Sequence, residues 1–256
     1  METALAYNLN SMWSIAFKEL RLFFSSPIGL LTIGIFLILN ALLFWIFESP
    51  ANILKAGFGD LTLFFDWTPR LLLFLIPALC MRSFSEEIRN GTLELLLTKP
   101  LTPTQIVGGK FLGVFLLLLI ALLATTVNVA AIHNLLAPTA HLDWGSIMAS
   151  YMGLLLMSIV FIGLNLCVSI GLKNQVSALL AGIIICFAHY DAWQLLADTL
   201  QLSAAYETII NIGMKAHYFS MSRGIFTFED LCYFVLTGLF FLYCSVELLK
   251  RKQRLL

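Results

Sequence analysis

Residues Ile28–Phe47 read IGLLTIGIFLILNALLFWIF, a run without a single charge. A helix rises about 1.5 Å per residue, so about 20 apolar residues cross a hydrocarbon core about 30 Å thick. This run has that length. Phe111–Ile132 is a second charge-free run, and Ile147–Leu172 is a third, long enough to tilt. Three further runs carry charges near their ends: Trp67–Phe84 with Arg70 and Arg82, Val176–Leu196 with His189 and Asp191, and Leu231–Leu249 with Glu247. Charges so placed snorkel to the headgroups, so these runs also span. The pattern predicts an all-α polytopic membrane protein with six transmembrane helices. Composition agrees. Of 256 residues, 60% are apolar and 12% charged, against about 45–50% and about 25% in soluble domains. Mean hydropathy is +0.91. Thirty charged residues cannot clothe a globule of this size in water, which excludes a soluble enzyme, a disordered chain and a nucleic-acid binder. A formal net charge of zero implies no polyanionic partner.

Basic residues set the expected orientation. Lys18, Arg21, Arg82, Arg89, Lys99, Lys110, Lys173, Lys250, Arg251, Lys252 and Arg254 fall on the side shared by both termini. Only Lys55, Arg70, Lys215 and Arg223 fall on the other. Both termini are therefore expected in the cytoplasm. The first apolar run is too long for a signal-peptide core and no small-x-small site follows it, so it reads as an uncleaved span. Cys80, Cys167, Cys186, Cys232 and Cys244 lie in apolar runs without CxxC spacing and read as free thiols.

Two segments outside the spans carry information. Over residues 9–26, Trp13, Phe17, Leu20 and Phe24 recur at helical spacing with Lys18, Glu19 and Arg21 between them, and Pro27 ends the run. This predicts an amphipathic helix in the membrane interface, or a simple lead-in to the first span. The loop over 85–105 is the second. Asn90-Gly91 is a helix stop, Thr92–Leu97 a short helix with Thr92 as N-cap, and Thr98-Lys99-Pro100 a second stop. Thr102-Pro103-Thr104-Gln105 then reads as a capping box that opens the third span. In the short helix Leu93, Leu96 and Leu97 share one face. Such a face needs a cover: a partner protein, with Glu86, Glu87 and Glu94 adding charged contacts, or the membrane or the chain itself.

The stretch from Phe74 to Pro100, with Arg82-Ser-Phe-Ser-Glu-Glu-Ile-Arg-Asn-Gly-Thr-Leu-Glu-Leu-Leu-Leu at its centre, resembles the signature loop of type-2 ABC exporter permeases, in particular the branch associated with gliding motility and nitrous-oxide-reductase maturation. Gly109-Lys110-Phe111, Asp143-Trp144-Gly145, Lys173-Asn174-Gln175 and His217–Ile225 resemble later motifs of that family in the same order. The resemblance implies a single permease domain in the inner (plasma) membrane, with 85–105 as a coupling loop that docks on a separate ABC ATPase. It carries the docking role to Glu86, Glu87, Gly91, Thr92, Glu94, Leu96 and Leu97. It implies two copies of the ATPase, and a second permease chain in a homo- or heterodimer. The chain contains no GxxxxGK[ST] phosphate loop; Gly108-Gly109-Lys110 is a fragment followed by Phe111. ATP and magnesium are thus expected on the partner, with no cofactor on this chain, and its neighbours to be lipid and protein, with no nucleic acid.

Asn40, Asn128, Asn165, Ser169, His189 and Asp191 lie at or near membrane depth. Such groups line a substrate path or bond helix to helix; Asn128, Asn165, His189 and Asp191 are the candidate path residues. One histidine beside one carboxylate is a poor metal site. The 197–230 segment, with apolar Leu200, Leu202, Ile209, Ile210, Ile212 and Met214, predicts short helices over the far end, a bend at Arg223-Gly224, and an N-terminus at Glu229-Asp230. Three functions follow: an exporter permease driven by a separate ATPase; a non-transporting coupler or anchor that relays ATPase motion to a periplasmic or surface partner; and an intramembrane enzyme using His189, Asp191 or Glu247.

Overall fold

The computed structural model describes residues 2–47, 52, 61–136, 141–200 and 206–255, with side chains from residue 11 onward. Lys55 and Leu202 lie outside them. The described residues form α1 (Glu2–Ser25), α2 (Pro27–Ala41, continued as a π-helical turn over Leu42–Ile46), α3 (Thr62–Cys80), α4 (Ser85–Arg89), α5 (Thr92–Leu97), α6 (Pro103–Leu135), α7 (Trp144–Gly171), α8 (Gln175–Leu200), α9 (Tyr206–Ile212), α10 (Met214–Ser222) and α11 (Phe228–Gln253). No strand occurs among the described residues. Six helices, α2, α3, α6, α7, α8 and α11, are long and apolar enough to cross a membrane.

Local chemistry sets the helix ends. Pro27 opens α2 at the position where a missing N–H costs nothing. The capping box at α6 is present: Gln105 N donates to Thr102 Oγ1 at 3.3 Å, and Thr102 N donates to Gln105 Oε1 at 2.7 Å. That cap starts α6 at Pro103, as the capping box predicts, and the helix continues through the apolar run from Phe111. Its 33 residues are about 50 Å long, well beyond the hydrocarbon thickness. The first turns of α6 therefore stand clear of the apolar layer. At the start of α5 the N-cap is Gly91 rather than Thr92. Gly91 takes φ +69°, a left-handed conformation that side chains disfavour, and Thr92 Oγ1 instead donates back to Glu87 O at 3.4 Å.

α7 is the central helix: 78% of its apolar window is buried, against 22% for α8 and 17% for α11. In lipid, helices associate by packing and hydrogen bonds rather than by leaving water. Ser245 Oγ on α11 donates to Gly163 O of α7 at 3.2 Å, within such a contact. The ends of the bundle are fixed by a few bonds. Near the end of α7, Ser169 Oγ accepts from Phe84 N at 3.0 Å and Ser85 N at 3.1 Å. Lys252 Nζ, in the last turn of α11, donates to Ile170 O at 2.8 Å. The C-terminal ends of α3, α7 and α11 and the start of α6 thus share one end, hereafter the loop end. At the opposite end Tyr218 Oη on α10 donates to Phe65 O at 2.7 Å, and Ser146 and Ser150 both donate to Ser222 O at 3.2 Å.

α1 divides along its length as an interfacial helix should. Trp13, Phe17 and Phe24 remain exposed, while Ile15 and Ala16 are buried. The buried stripe lies on the start of α6. A Cβ added at Gly109 would sit 2.6 Å from Ile15 Cβ and 2.9 Å from Met12 O, so only a glycine admits this approach. Gly109 and Gly113 form a small-xxx-small pair on α6. Gly108-Gly109-Lys110, a fragment of a phosphate loop by sequence, is a packing surface for α1. The short helices expected over 197–230 are α9 and α10. Gly224 makes the bend with φ +80°, and Thr227 caps α11, its Oγ1 accepting from Asp230 N at 3.2 Å.

Candidate docking site at the loop end

The loop between α3 and α6 carries two short helices, of five and six residues. Neither is long enough to be stable alone, so neighbours hold them. The principal holder is Lys110. Its side chain is 1% exposed, and its three N–H donors meet three acceptors: Glu19 Oε1 at 2.8 Å, Glu87 Oε1 at 3.0 Å and Ser83 O at 2.5 Å. The Phe84 ring lies 4.9 Å from the ammonium. Burying a lone ammonium costs several kcal/mol, and only full partnering makes the site tenable. One side chain of α6 thereby joins α1, the turn after α3, and α4.

A second contact runs beside it. Arg82 forms a two-pronged pair with Glu86, at 2.7 Å and 3.2 Å, and donates to Ser26 Oγ at 2.9 Å. This links the loop to the junction of α1 and α2. The pair is about one-third exposed, so its energetic contribution is small. Ser85 Oγ also donates to Met81 O.

The expected docking residues separate into two groups. Glu86 and Glu87 are engaged within the chain, by Arg82 and Lys110. Gly91, Thr92 and Glu94 are exposed. The leucine face is folded onto the chain: Leu93 is buried at 3%, and Leu96 and Leu97 are half-buried against the core. Of the covers the sequence left open for this face, the single chain supplies its own core for part of Leu96 and Leu97. Leu96 lines a cavity with Ile15 of α1 and Leu101. The apolar side chain left open is Leu95, 67% exposed beside Glu94. Leu95 drew no attention in the sequence because the i, i+3, i+4 pattern marks the packed face. Lys110 and Glu19 were missed for another reason: each reads as an ordinary charge flanking a span. A signal was nonetheless present, since Glu19 lies on the stripe of Met12, Ile15 and Ala16, opposite the aromatic face.

The candidate path residues do not converge. Asn128 Oδ1 accepts from Trp45 Nε1 at 2.9 Å, joining α6 to the end of α2. Asn165 is 2% exposed and donates to Phe161 O at 2.8 Å and Cys186 Sγ at 2.9 Å, joining α7 to α8. Asp191 accepts from Lys215 at 2.8 Å. His189 stands edge-on to Phe241, ring centres 5.8 Å apart; its Nε2 has no hydrogen-bond partner among the described residues. No two of these four hydrogen-bond each other among the described residues. Three of the four thus join helix to helix. No group of three or more metal-ligating side chains occurs among the described residues.

No curated protein sequence matches the chain. A family model described as ABC-2 family transporter protein matches residues 13–227, a range that runs from the aromatic face of α1 through the loop between α3 and α6 to the cap of α11. The chain therefore belongs to the ABC-2 transporter family and is a multi-pass membrane permease of the ABC transporter type.

Proposed function

We propose that the chain is the permease subunit of an exporter in the inner (plasma) membrane, and that its loop end faces the cytoplasm and docks a separate ABC ATPase. The observation that carries this reading is the tip of α5. Glu94 and Leu95 are exposed on a loop that Lys110, Ser169 and Ser26 hold in place. A rigid, solvent-facing tip with one apolar and one acidic side chain suits a groove in another protein. The excess of Lys and Arg at the loop end supports a cytoplasmic position. Membership of the family supports an ABC ATPase as the partner. ATP and magnesium bind there, and its closure pushes the tips of two permease chains, identical or related, towards each other. The helices then open a route between protomers for export.

The test is copurification. A tagged chain in mild detergent brings down an ABC ATPase, and Glu94→Lys with Leu95→Asp removes the ATPase while membrane insertion and unfolding temperature stay unchanged. Retention of the ATPase by the double variant sinks the docking assignment. Reconstituted vesicles then separate export from relay: ATP-dependent substrate movement supports the exporter, and ATP turnover without flux supports the relay.

A further inference from the structure

We propose that Lys110 is the positioning residue through which movement of the docking loop reaches α1 and the spans. The inference rests on the docking reading above and adds the element that transmits its motion. Two short helices separated by a left-handed glycine cannot carry force along their own backbone. Contacts do so: Phe84 and Leu93 are buried in the core, and the tie from this loop to α1 is polar. A cavity of about 190 Å³ lies beside the loop, lined by Glu19, Phe23, Arg82, Glu86, Glu87 and Lys110. Another of about 310 Å³ separates it from α1 and is lined by Ile15, Glu19, Glu87, Leu96 and Lys110. Between these two spaces the Lys110 ammonium bridges the gap, gripping Glu87 of α4, Ser83 O after α3, and Glu19 of α1. The partners are 91 and 23 residues away in sequence, so the node joins elements that the chain itself leaves far apart. The Arg82–Glu86 pair, about one-third exposed, is too weakly held to substitute. With Lys110 in place, the loop, α1 and the overhanging start of α6 move as one body.

Spin labels at the exposed positions Lys18 and Thr98 report on this body by their distance distribution. It is measured in the complex with its ATPase, with and without vanadate-trapped nucleotide, and in the chain alone. The unmodified node gives a narrow distribution that trapping does not widen. Lys110→Met widens it about twofold or more, because the partners lose their common cation. That variant leaves two part-buried carboxylates unmatched and lowers the unfolding temperature. The triple variant Glu19→Gln, Glu87→Gln, Lys110→Met carries no unmatched charge and recovers that temperature. It nevertheless keeps the wide distribution, and reconstitution into a stiffer bilayer, which should change ATP turnover by the parent complex, leaves its own turnover unchanged. A narrow distribution in either variant, or restored bilayer sensitivity in the triple variant, overturns the inference. Absence of an ATPase from the unmodified preparation overturns the docking reading instead, and the label widths in the chain alone still decide the role of Lys110.

Discussion

The two ends of the bundle are fastened by different chemistry. At the loop end a buried cation, Lys110, meets two carboxylates and a carbonyl, with Glu19 lying 91 residues distant in sequence. At the opposite end the corresponding pairs span 13 and 24 residues. His217 Nδ1 lies 2.7 Å from Asp230 Oδ1, and Lys215 lies 2.8 Å from Asp191. His217 stacks on Tyr233 at 4.0 Å, and Tyr233 Oη donates to Ile212 O at 2.8 Å. Neutral hydroxyl-to-carbonyl contacts from Tyr218, Ser146 and Ser150 tie this cap to α3 and α7, and the part-exposed Lys215–Asp191 pair ties it to α8. A neutral bond can be exchanged for water at modest net cost, whereas a buried charge cannot lose its partner cheaply. The buried cation at the loop end is therefore held more firmly than the neutral bonds that tie the cap to α3 and α7.

The contrast can be broken most forcefully at Lys110. Lys110→Met should lower stability by about 3–5 kcal/mol, the cost of leaving buried charge unmatched, read as a fall in the unfolding temperature in detergent. A smaller loss follows from forcing α1 off α6. Gly109→Val places atoms where Ile15 Cβ already stands and should cost about 1–3 kcal/mol, with faster proteolysis of α1 as the independent sign. The cap should respond less. Tyr218→Phe removes the bond to Phe65 O and should cost about 1 kcal/mol, measured in the same melt; a loss as large as that of Lys110→Met would erase the difference between the ends. The smallest effect belongs to the tip. Leu95→Asp should change stability by less than about 0.5 kcal/mol, because the side chain is already exposed, while abolishing capture of the ATPase.

Much of this molecule is legible in its sequence, for a physical reason. Hydrocarbon demands long apolar helices, and no other local arrangement satisfies the backbone there. Ile28–Phe47, Phe111–Ile132 and Ile147–Leu172 therefore announce themselves, and the Thr102–Gln105 capping box shows where α6 begins. What sequence could not settle was direction. The stripe Leu93, Leu96, Leu97 shows that one face of α5 is apolar, but not whether that face meets a partner or α1. Only the folded chain shows that this face packs against its own core. Lys110 was hidden by the same logic: its identity as a cation was plain, but its burial depends on Glu19 and Glu87 arriving from elsewhere in the chain. Asn128, Asn165 and Asp191 stood out as polar groups near membrane depth, and their partners Trp45, Cys186 and Lys215 became visible only in three dimensions.

α6 runs from Pro103 to Leu135 without an internal proline or a break. A rod about 50 Å long that pivots by about 10° at its capped foot sweeps its far tip through about 9 Å. An inching displacement at one face of the membrane is thereby geared up to the width of a helix at the other.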